Sequence, residues 1–175
     1  MKLDEKGYSL VELAVVVALS ALVTLAAGSA IFQILRGTDR NNEHMTVVRQ
    51  VESAGYWLSR DAQQAYSVNI TPQSPNFLIL KWTEWQTGSG NITSFDHTAT
   101  YSFDNLTGGI AKLRRTHSSN GTSQKTLVAE YIYYAPGDIN TTKAVSYERP
   151  LLTVRVTSRF GDAQQTREYK IKHRP

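Results

Sequence analysis

The chain has 175 residues, no cysteine and a formal net charge of +4. This length allows one domain with an additional segment, and the lack of cysteine excludes a disulfide framework and a thiolate metal site. The excess of lysine and arginine lies in residues 143–175. Because no nucleic-acid-binding signature accompanies these residues, we interpret them as a solvated sheet face, and nucleic acid is not an expected partner.

An uncharged apolar run of twenty residues, 13–32, follows a short charged segment, 1–7. As a helix the run would span roughly 30 Å, which is the thickness of a bilayer core. Two alternatives are a buried core helix and a cleaved secretory signal peptide. A helix that is apolar on every side is rare in the core of a small protein. The apolar pattern also extends beyond the usual length of a signal peptide. We therefore expect a transmembrane helix.

Glu12 is the only charged residue between Gly7 and Gln33. A carboxylate at membrane depth is costly, and it is usually paired and functional. Alternatively, its side chain reaches the membrane surface. Cleavage after Gly7 would give Tyr8 a free, cationic α-amine about one turn from Glu12. In a stack of parallel helices, the amine of one chain would pair with Glu12 of a neighbour and set the axial register.

The apolar pattern becomes amphipathic after Leu35, which predicts a helix with one buried stripe. The stripe comprises Val48, Val51, Gly55, Leu58, Ala62 and Ala65. Other faces carry Arg49, Gln50, Glu52, Arg60, Asp61 and Gln64. We expect one helix from about Tyr8 to about Tyr66, with a bend near Gly28 or Gly37, since glycine weakens a helix.

The proline-containing segment 71–75 ends the helical part. Alternating and aromatic-rich segments then predict strands, separated by turn residues that include an Asn-Gly pair. The predicted strands are 77–82, 100–103, 110–117, 126–134, 151–157 and 167–172, with turns at 104–109, 118–121 and 160–162. The pattern indicates an α+β protein whose antiparallel sheet packs one face on the amphipathic half of the helix, with Trp57 in the contact.

The sequence Gly7-Tyr8-Ser9-Leu10-Val11-Glu12 with its apolar run resembles the N-terminal signal of type IV pilins and type II secretion pseudopilins. It departs from the usual pattern by having Tyr8 and Ser9 at the first two mature positions. The resemblance implies a leader at 1–7, a transmembrane and filament-core helix at 8–35, and a globular domain at 36–175. It also implies cleavage after Gly7 by a prepilin peptidase, N-methylation of Tyr8, and assembly into a filament through Glu12.

The segment from Val48 to Ala65 resembles J-type minor pseudopilins and W-type minor pilins more loosely. The family implies a pilin-like fold and a subunit that initiates or decorates a type IV pilus or a type II secretion pseudopilus. Retention of Glu12 disfavours the type at the extreme tip. The expected partners are other pilin subunits, an inner-membrane assembly platform and membrane lipid before assembly. The expected location is the bacterial inner membrane with the globular domain outside the cytoplasm, followed by a periplasmic or surface filament.

The alternative is a single-pass, membrane-anchored binding module whose sheet recognises a ligand or glycan. An anchored hydrolase is a weaker third option, because no catalytic motif occurs. We expect no enzymatic activity, cofactor or metal. The histidines are predicted to be ordinary surface or helix residues. Asp104, Asn105 and Asp138 are predicted to be turn residues whose side-chain oxygens do not bind calcium. Five Asn-x-Ser/Thr triplets begin at Asn69, Asn91, Asn105, Asn120 and Asn140; we interpret them as turn residues rather than glycan acceptors.

Overall fold

The computed structural model describes residues 9–71, 73–88 and 91–173. One helix, α1, runs from Leu10 to Gln64. Eight strands follow in the described part of the chain: β1 Ser67–Asn69, β2 Asn76–Gly88, β3 Asn91–Thr107, β4 Ile110–Ser119, β5 Thr122–Tyr133, β6 Lys143–Glu148, β7 Leu151–Phe160 and β8 Ala163–Lys172. The predicted single long helix and the α+β class are therefore confirmed. Tyr8, the predicted helix start, lies outside the described residues.

The chain divides into two units, Met1–Asn41 and Asn42–Pro175. In the first unit every described side chain is exposed. The most apolar 18-residue window has a mean hydropathy of 2.4 and no buried residue. Helix α1 is thus long and apolar enough to span a membrane. An exposed apolar surface of this extent requires lipid or other protein to cover it.

The second unit contains one eight-stranded antiparallel sheet in the order β1-β2-β3-β4-β5-β7-β6, with β8 on the other edge of β7. Two-residue turns join β3 to β4, β4 to β5, β6 to β7 and β7 to β8. They include the predicted Asn120-Gly121 turn, where both residues have positive φ. Strands β5 and β7 share only the pair Ile132 and Ser158. The predicted turn at 104–109 is wrong in extent, because β3 continues to Thr107 and the reversal occupies Gly108 and Gly109.

The last part of α1 packs one face on the sheet. Its buried residues are Val47, Val51, Ala54, Gly55, Leu58, Asp61 and Ala62. Val47 is fully buried and Val48 only partly, so the buried stripe begins at Val47 and not at the predicted Val48. Alternation along the predicted strand 151–157 puts Leu152, Val154 and Val156 on one face, and all three are fully buried. Trp57 packs against this core, as expected.

Helix α1 and strand β8 approach each other closely at Gly55. A Cβ atom built on Gly55 would overlap the aromatic ring of Tyr169 on β8. The Tyr169 hydroxyl donates a hydrogen bond to the Val51 carbonyl at 2.9 Å, which holds the ring over the helix. Absence of a side chain at Gly55 therefore lets β8 lie directly against α1.

Candidate functional site

The first turn of α1 holds Glu12 in a reciprocal capping arrangement with Ser9. The Ser9 amide donates to a Glu12 carboxylate oxygen at 2.9 Å. The Glu12 amide donates to the Ser9 hydroxyl at 3.2 Å. This is the capping box expected of a Ser-x-x-Glu sequence, and it satisfies two amides that a helix start otherwise leaves free. Gly7 and Tyr8, the predicted processing residues, lie outside the described residues.

The capping box gives Glu12 a role that the sequence analysis did not identify. The carboxylate is both an acceptor for Ser9 and a charge that favours the positive end of the helix dipole. Both Ser9 and Glu12 are exposed. A carboxylate bound by one amide retains acceptor positions for a cation. The arrangement is therefore compatible with an ion pair to a neighbouring chain.

The hydroxyl groups of the apolar segment are satisfied within the helix. The Ser20 hydroxyl donates to the Val16 carbonyl at 2.7 Å, and the Thr24 hydroxyl donates to the Ser20 carbonyl at 2.8 Å. The Ser29 hydroxyl donates to the Ala26 carbonyl at 2.8 Å. Such bonds remove the cost of placing serine and threonine in lipid. These small polar residues are therefore compatible with a membrane-embedded helix.

A buried ion pair links the last turn of α1 to the sheet. Asp61 is 1% exposed and accepts two hydrogen bonds from the Arg115 guanidinium, at 2.6 and 2.9 Å. The Tyr101 hydroxyl donates to the same carboxylate at 2.6 Å. The prediction that Asp61 lies on a face other than the buried stripe is wrong. The helical period places it beside Leu58 and Ala62, and burial is tolerated because β3 and β4 supply partners.

The surroundings shift the pKa values of both partners of Asp61. Burial, followed by the nearby carboxylate, raises the pKa of Tyr101 far above its ordinary value. Burial alone would lower the pKa of Arg115, but hydrogen bonds and attraction to Asp61 outweigh it and raise that pKa. The guanidinium and the phenol thus keep their protons throughout the pH range in which proteins fold. This cluster has a fixed charge distribution, which suits a structural role.

Two histidines that are distant in sequence meet on the helix-facing side of the sheet. Nδ1 of His97 lies 3.1 Å from Nε2 of His117. The two rings are nearly parallel, with centroids 5.2 Å apart and planes 4° apart. The rings are therefore joined by a hydrogen bond and lie parallel to each other. Trp82 lies parallel to both, with its centroid 5.3 Å from His97 and 5.4 Å from His117.

Glu84 extends this cluster toward solvent. A carboxylate oxygen of Glu84 lies 3.4 Å from Nε2 of His97, a buried nitrogen without a hydrogen bond in the described structure. Burial, and then the charges of Arg115 and His97, lower the pKa of His117. The prediction of ordinary surface histidines is wrong here. His173 is also buried, with its ring nitrogens near the Tyr147 hydroxyl and the Ala65 carbonyl. Only His44 is exposed on the helix, as expected.

The residues considered as calcium ligands are engaged in local bonds. The Arg114 guanidinium donates to Asp104 at 2.5 Å. Asp138 accepts from the Tyr133 hydroxyl at 2.7 Å and from the Asn140 amide at 2.8 Å. The Asn140 amide, and then the tyrosine, lower the pKa of Asp138. Within residues 9–71, 73–88 and 91–173, no group of three or more acidic, histidine or cysteine side chains is arranged to hold a metal.

Three adjoining cavities surround Gln64 at the end of α1. One of about 380 Å³ is lined by Arg60, Gln63, Gln64 and Lys172. A second, of about 280 Å³, reaches Trp82 and Glu84. The third, of about 330 Å³, has the histidine pair and Trp57 in its walls and Gln124 at its rim. Sequence reasoning missed this groove, because its residues come from α1, β2, β3, β4, β5 and β8.

Comparison of the chain with family models, with curated proteins and with solved structures found no match.

Proposed function

We propose that this chain is a minor pilin or minor pseudopilin, a structural subunit of a membrane-assembled filament. The observation that carries the proposal is the exposed apolar helix with Glu12 capped in its first turn. The Gly7-to-Glu12 sequence supports it through its resemblance to prepilin signals. The α+β layout, with the later part of α1 on an antiparallel sheet, is compatible with a pilin-like fold.

The proposed role needs two environments for one apolar surface. Before assembly, lipid covers the part of α1 up to Asn41, since no described residue in that part is buried. In the filament, the same surface contacts the helices of neighbouring subunits, where small residues favour close approach. The peptidase removes 1–7 after Gly7, and the new Tyr8 amine pairs with Glu12 of the next subunit. The globular unit then lies outside the cytoplasm.

The test separates the capping role of Glu12 from its charge. Glu12→Gln retains a capping side chain, because glutamine also fits the capping box, but it removes the charge. Glu12→Ala removes both. With prepilin peptidase and the other filament subunits present, we expect both variants to be processed and both to be lost from purified filaments.

Three outcomes are decisive. Incorporation of Glu12→Gln at the wild-type level would show that Glu12 acts only as a helix cap. Mass spectrometry of the N-terminus tests processing, and we expect a methylated Tyr8. A mature chain that retains Met1 would contradict the whole proposal.

The second candidate is a membrane-anchored binding module, in which α1 only tethers the globular unit. The specific observation that favours it is the groove around Gln64. In that case, both Glu12 variants would keep ligand binding and membrane attachment. The two functions are not exclusive, since a filament subunit can present a binding site.

A further inference from the structure

We propose that the groove around Gln64 binds a short saccharide. Here the Gln64 groove means the cavities bordered by Arg60, Gln64, Lys172, Trp82, Glu84 and Gln124. The inference goes beyond filament assembly, because all of these residues belong to the unit from Asn42 to Pro175.

The groove has a rigid floor and an accessible rim. Trp82 is only 8% exposed and is held parallel to His97 and His117. Arg60, Gln64, Glu84 and Gln124 are all exposed around it. The cavities of about 380 and 330 Å³ lie at the lower end of the range that small organic ligands occupy, and the third, of about 280 Å³, adjoins them at Gln64. A rigid floor lowers the cost of binding, since fewer side chains lose freedom.

The charges of the groove disfavour a strongly ionic ligand. Arg115 and Asp61 lie at its base but neutralise each other through two hydrogen bonds. Arg60 and Lys172 at one end are opposed by Glu84 at the other. A phosphate group would require several cationic or amide donors at one point. Cationic and acidic groups here are spread along the groove.

The hydrogen-bonding groups favour a ligand with many hydroxyls. Gln64 and Gln124 each offer a carbonyl acceptor and two donors. Arg60 only donates, whereas the Glu84 carboxylate only accepts. A hydroxyl group does both, so a row of hydroxyls can match this mixture without a net charge. Trp57 is half-buried in the wall of the groove, and the Arg115 and Arg60 guanidiniums lie over its ring, 5.0 and 5.5 Å from the centroid.

The experiment uses the full chain in dodecylphosphocholine, because a detergent with a sugar head group would compete for the groove. The three tryptophans are Trp57, Trp82 and Trp85. The first two line the groove, whereas Trp85 is 68% exposed, and strand alternation places it on the opposite sheet face. Trp85→Phe therefore removes background fluorescence without altering the groove. Maltotriose, cellotriose and chitotriose are titrated to about 20 mM, a range that detects weak binding.

We expect at least one trisaccharide to change the fluorescence saturably. Gln64→Ala should weaken that binding about three- to tenfold, as expected for loss of one or two neutral hydrogen bonds. Gln64 is exposed, so this variant should fold. Gln164→Ala is the matched control, since Gln164 is exposed on β8 next to the β7–β8 turn; it should bind like the parent.

The proposal would be overturned by no saturable response to any of the three sugars. It would also be overturned by equal weakening in Gln64→Ala and Gln164→Ala. Adenosine and trialanine test whether the groove binds a nucleoside or a peptide instead of a saccharide. Saturable binding of either one, without sugar binding, would assign the groove to a different ligand class. None of these results depends on filament incorporation, so this proposal and the filament proposal fail separately.

Discussion

Helix α1 carries Glu12 in its first turn and Asp61 in its last, and the two carboxylates are satisfied in different ways. Glu12 is exposed and bonds to Ser9, three residues away. Asp61 is buried and bonds to Tyr101 and Arg115, which are 40 and 54 residues away. The first arrangement involves only residues of the first helical turn, so it needs no contact with the sheet. The second exists only when the sheet has folded against the helix.

The same contrast applies to the apolar residues of the two units. Up to Asn41, the described side chains of α1 are exposed. From Val47 onward, one face is buried in the core with the sheet. The first region therefore leaves its apolar side chains uncovered within the chain, and the second forms a specific tertiary contact with the sheet. The following predictions test this contrast, beginning with the largest expected effect.

Asp61→Ala should cause the largest loss of stability. It leaves the buried Arg115 guanidinium without its partner, which typically costs about 3–5 kcal/mol in the free energy of unfolding. Urea denaturation of the full chain, followed by tryptophan fluorescence, measures the loss. Glu52→Ala is the control, because its ion pair with Arg167 at 3.3 Å is largely exposed and should contribute less than about 1 kcal/mol. Equal effects of the two variants would refute the distinction.

Gly55→Ala should destabilise the globular unit by about 1–3 kcal/mol, as overpacking of a core contact does. The new methyl group would displace the Tyr169 ring and weaken its bond to Val51. Gly28→Ala and Gly37→Ala make the same change in the first region of α1. A Cβ at either position has no atom within 4 Å, so the globular unit should be unaffected. Urea denaturation compares the three variants; similar losses would contradict the proposed close contact.

Ser9→Ala should loosen only the first turn of α1. Loss of an N-cap costs about 1 kcal/mol locally. Hydrogen exchange of the amides of residues 10–13, measured by mass spectrometry in dodecylphosphocholine, should accelerate. Ser20→Ala is the control, since its hydroxyl bonds within the helix and does not cap it. Unchanged exchange in Ser9→Ala would show that the capping box does not stabilise the helix start.

The smallest expected effect is an acid-dependent loss of stability through His117. Its pKa is lowered in the folded state by burial, then by Arg115, His97 and Arg60, with Asp61 opposing the shift. The contribution of neutral His117 to the free energy of unfolding is therefore complete above the pKa of an unfolded histidine, about 6.5. It is lost as the pH falls toward the lower pKa of His117 in the folded chain. His117→Gln keeps a donor near His97 but cannot titrate. Thermal unfolding between pH 7.5 and 5 should show a smaller loss for the variant than for wild type; identical pH profiles would exclude this contribution.

Several elements follow from sequence pattern alone. The uncharged run 13–32 and the stripe through Val51, Leu58 and Ala62 predict one long helix, because helical period and length act locally. The alternation of Leu152, Val154 and Val156 likewise predicts the face of β7 that is buried. The Ser9-to-Glu12 spacing is also a local capping signal, although we interpreted Glu12 only as a charge.

Tertiary structure decided the rest, because pairing across the sheet depends on strand order and register. Nothing near Asp61 in sequence indicates Arg115, and nothing near His97 indicates His117. Pairing of β3 with β4 brings His97 next to His117, because Ala99 lies directly opposite His117 in the register. The Gln64 groove arises in the same way, from side chains on six elements. The sequence by itself therefore determined a long helix with an exposed apolar start and a following sheet. Only folding of that sheet against α1 decided which charges are buried and which side chains meet in the Gln64 groove.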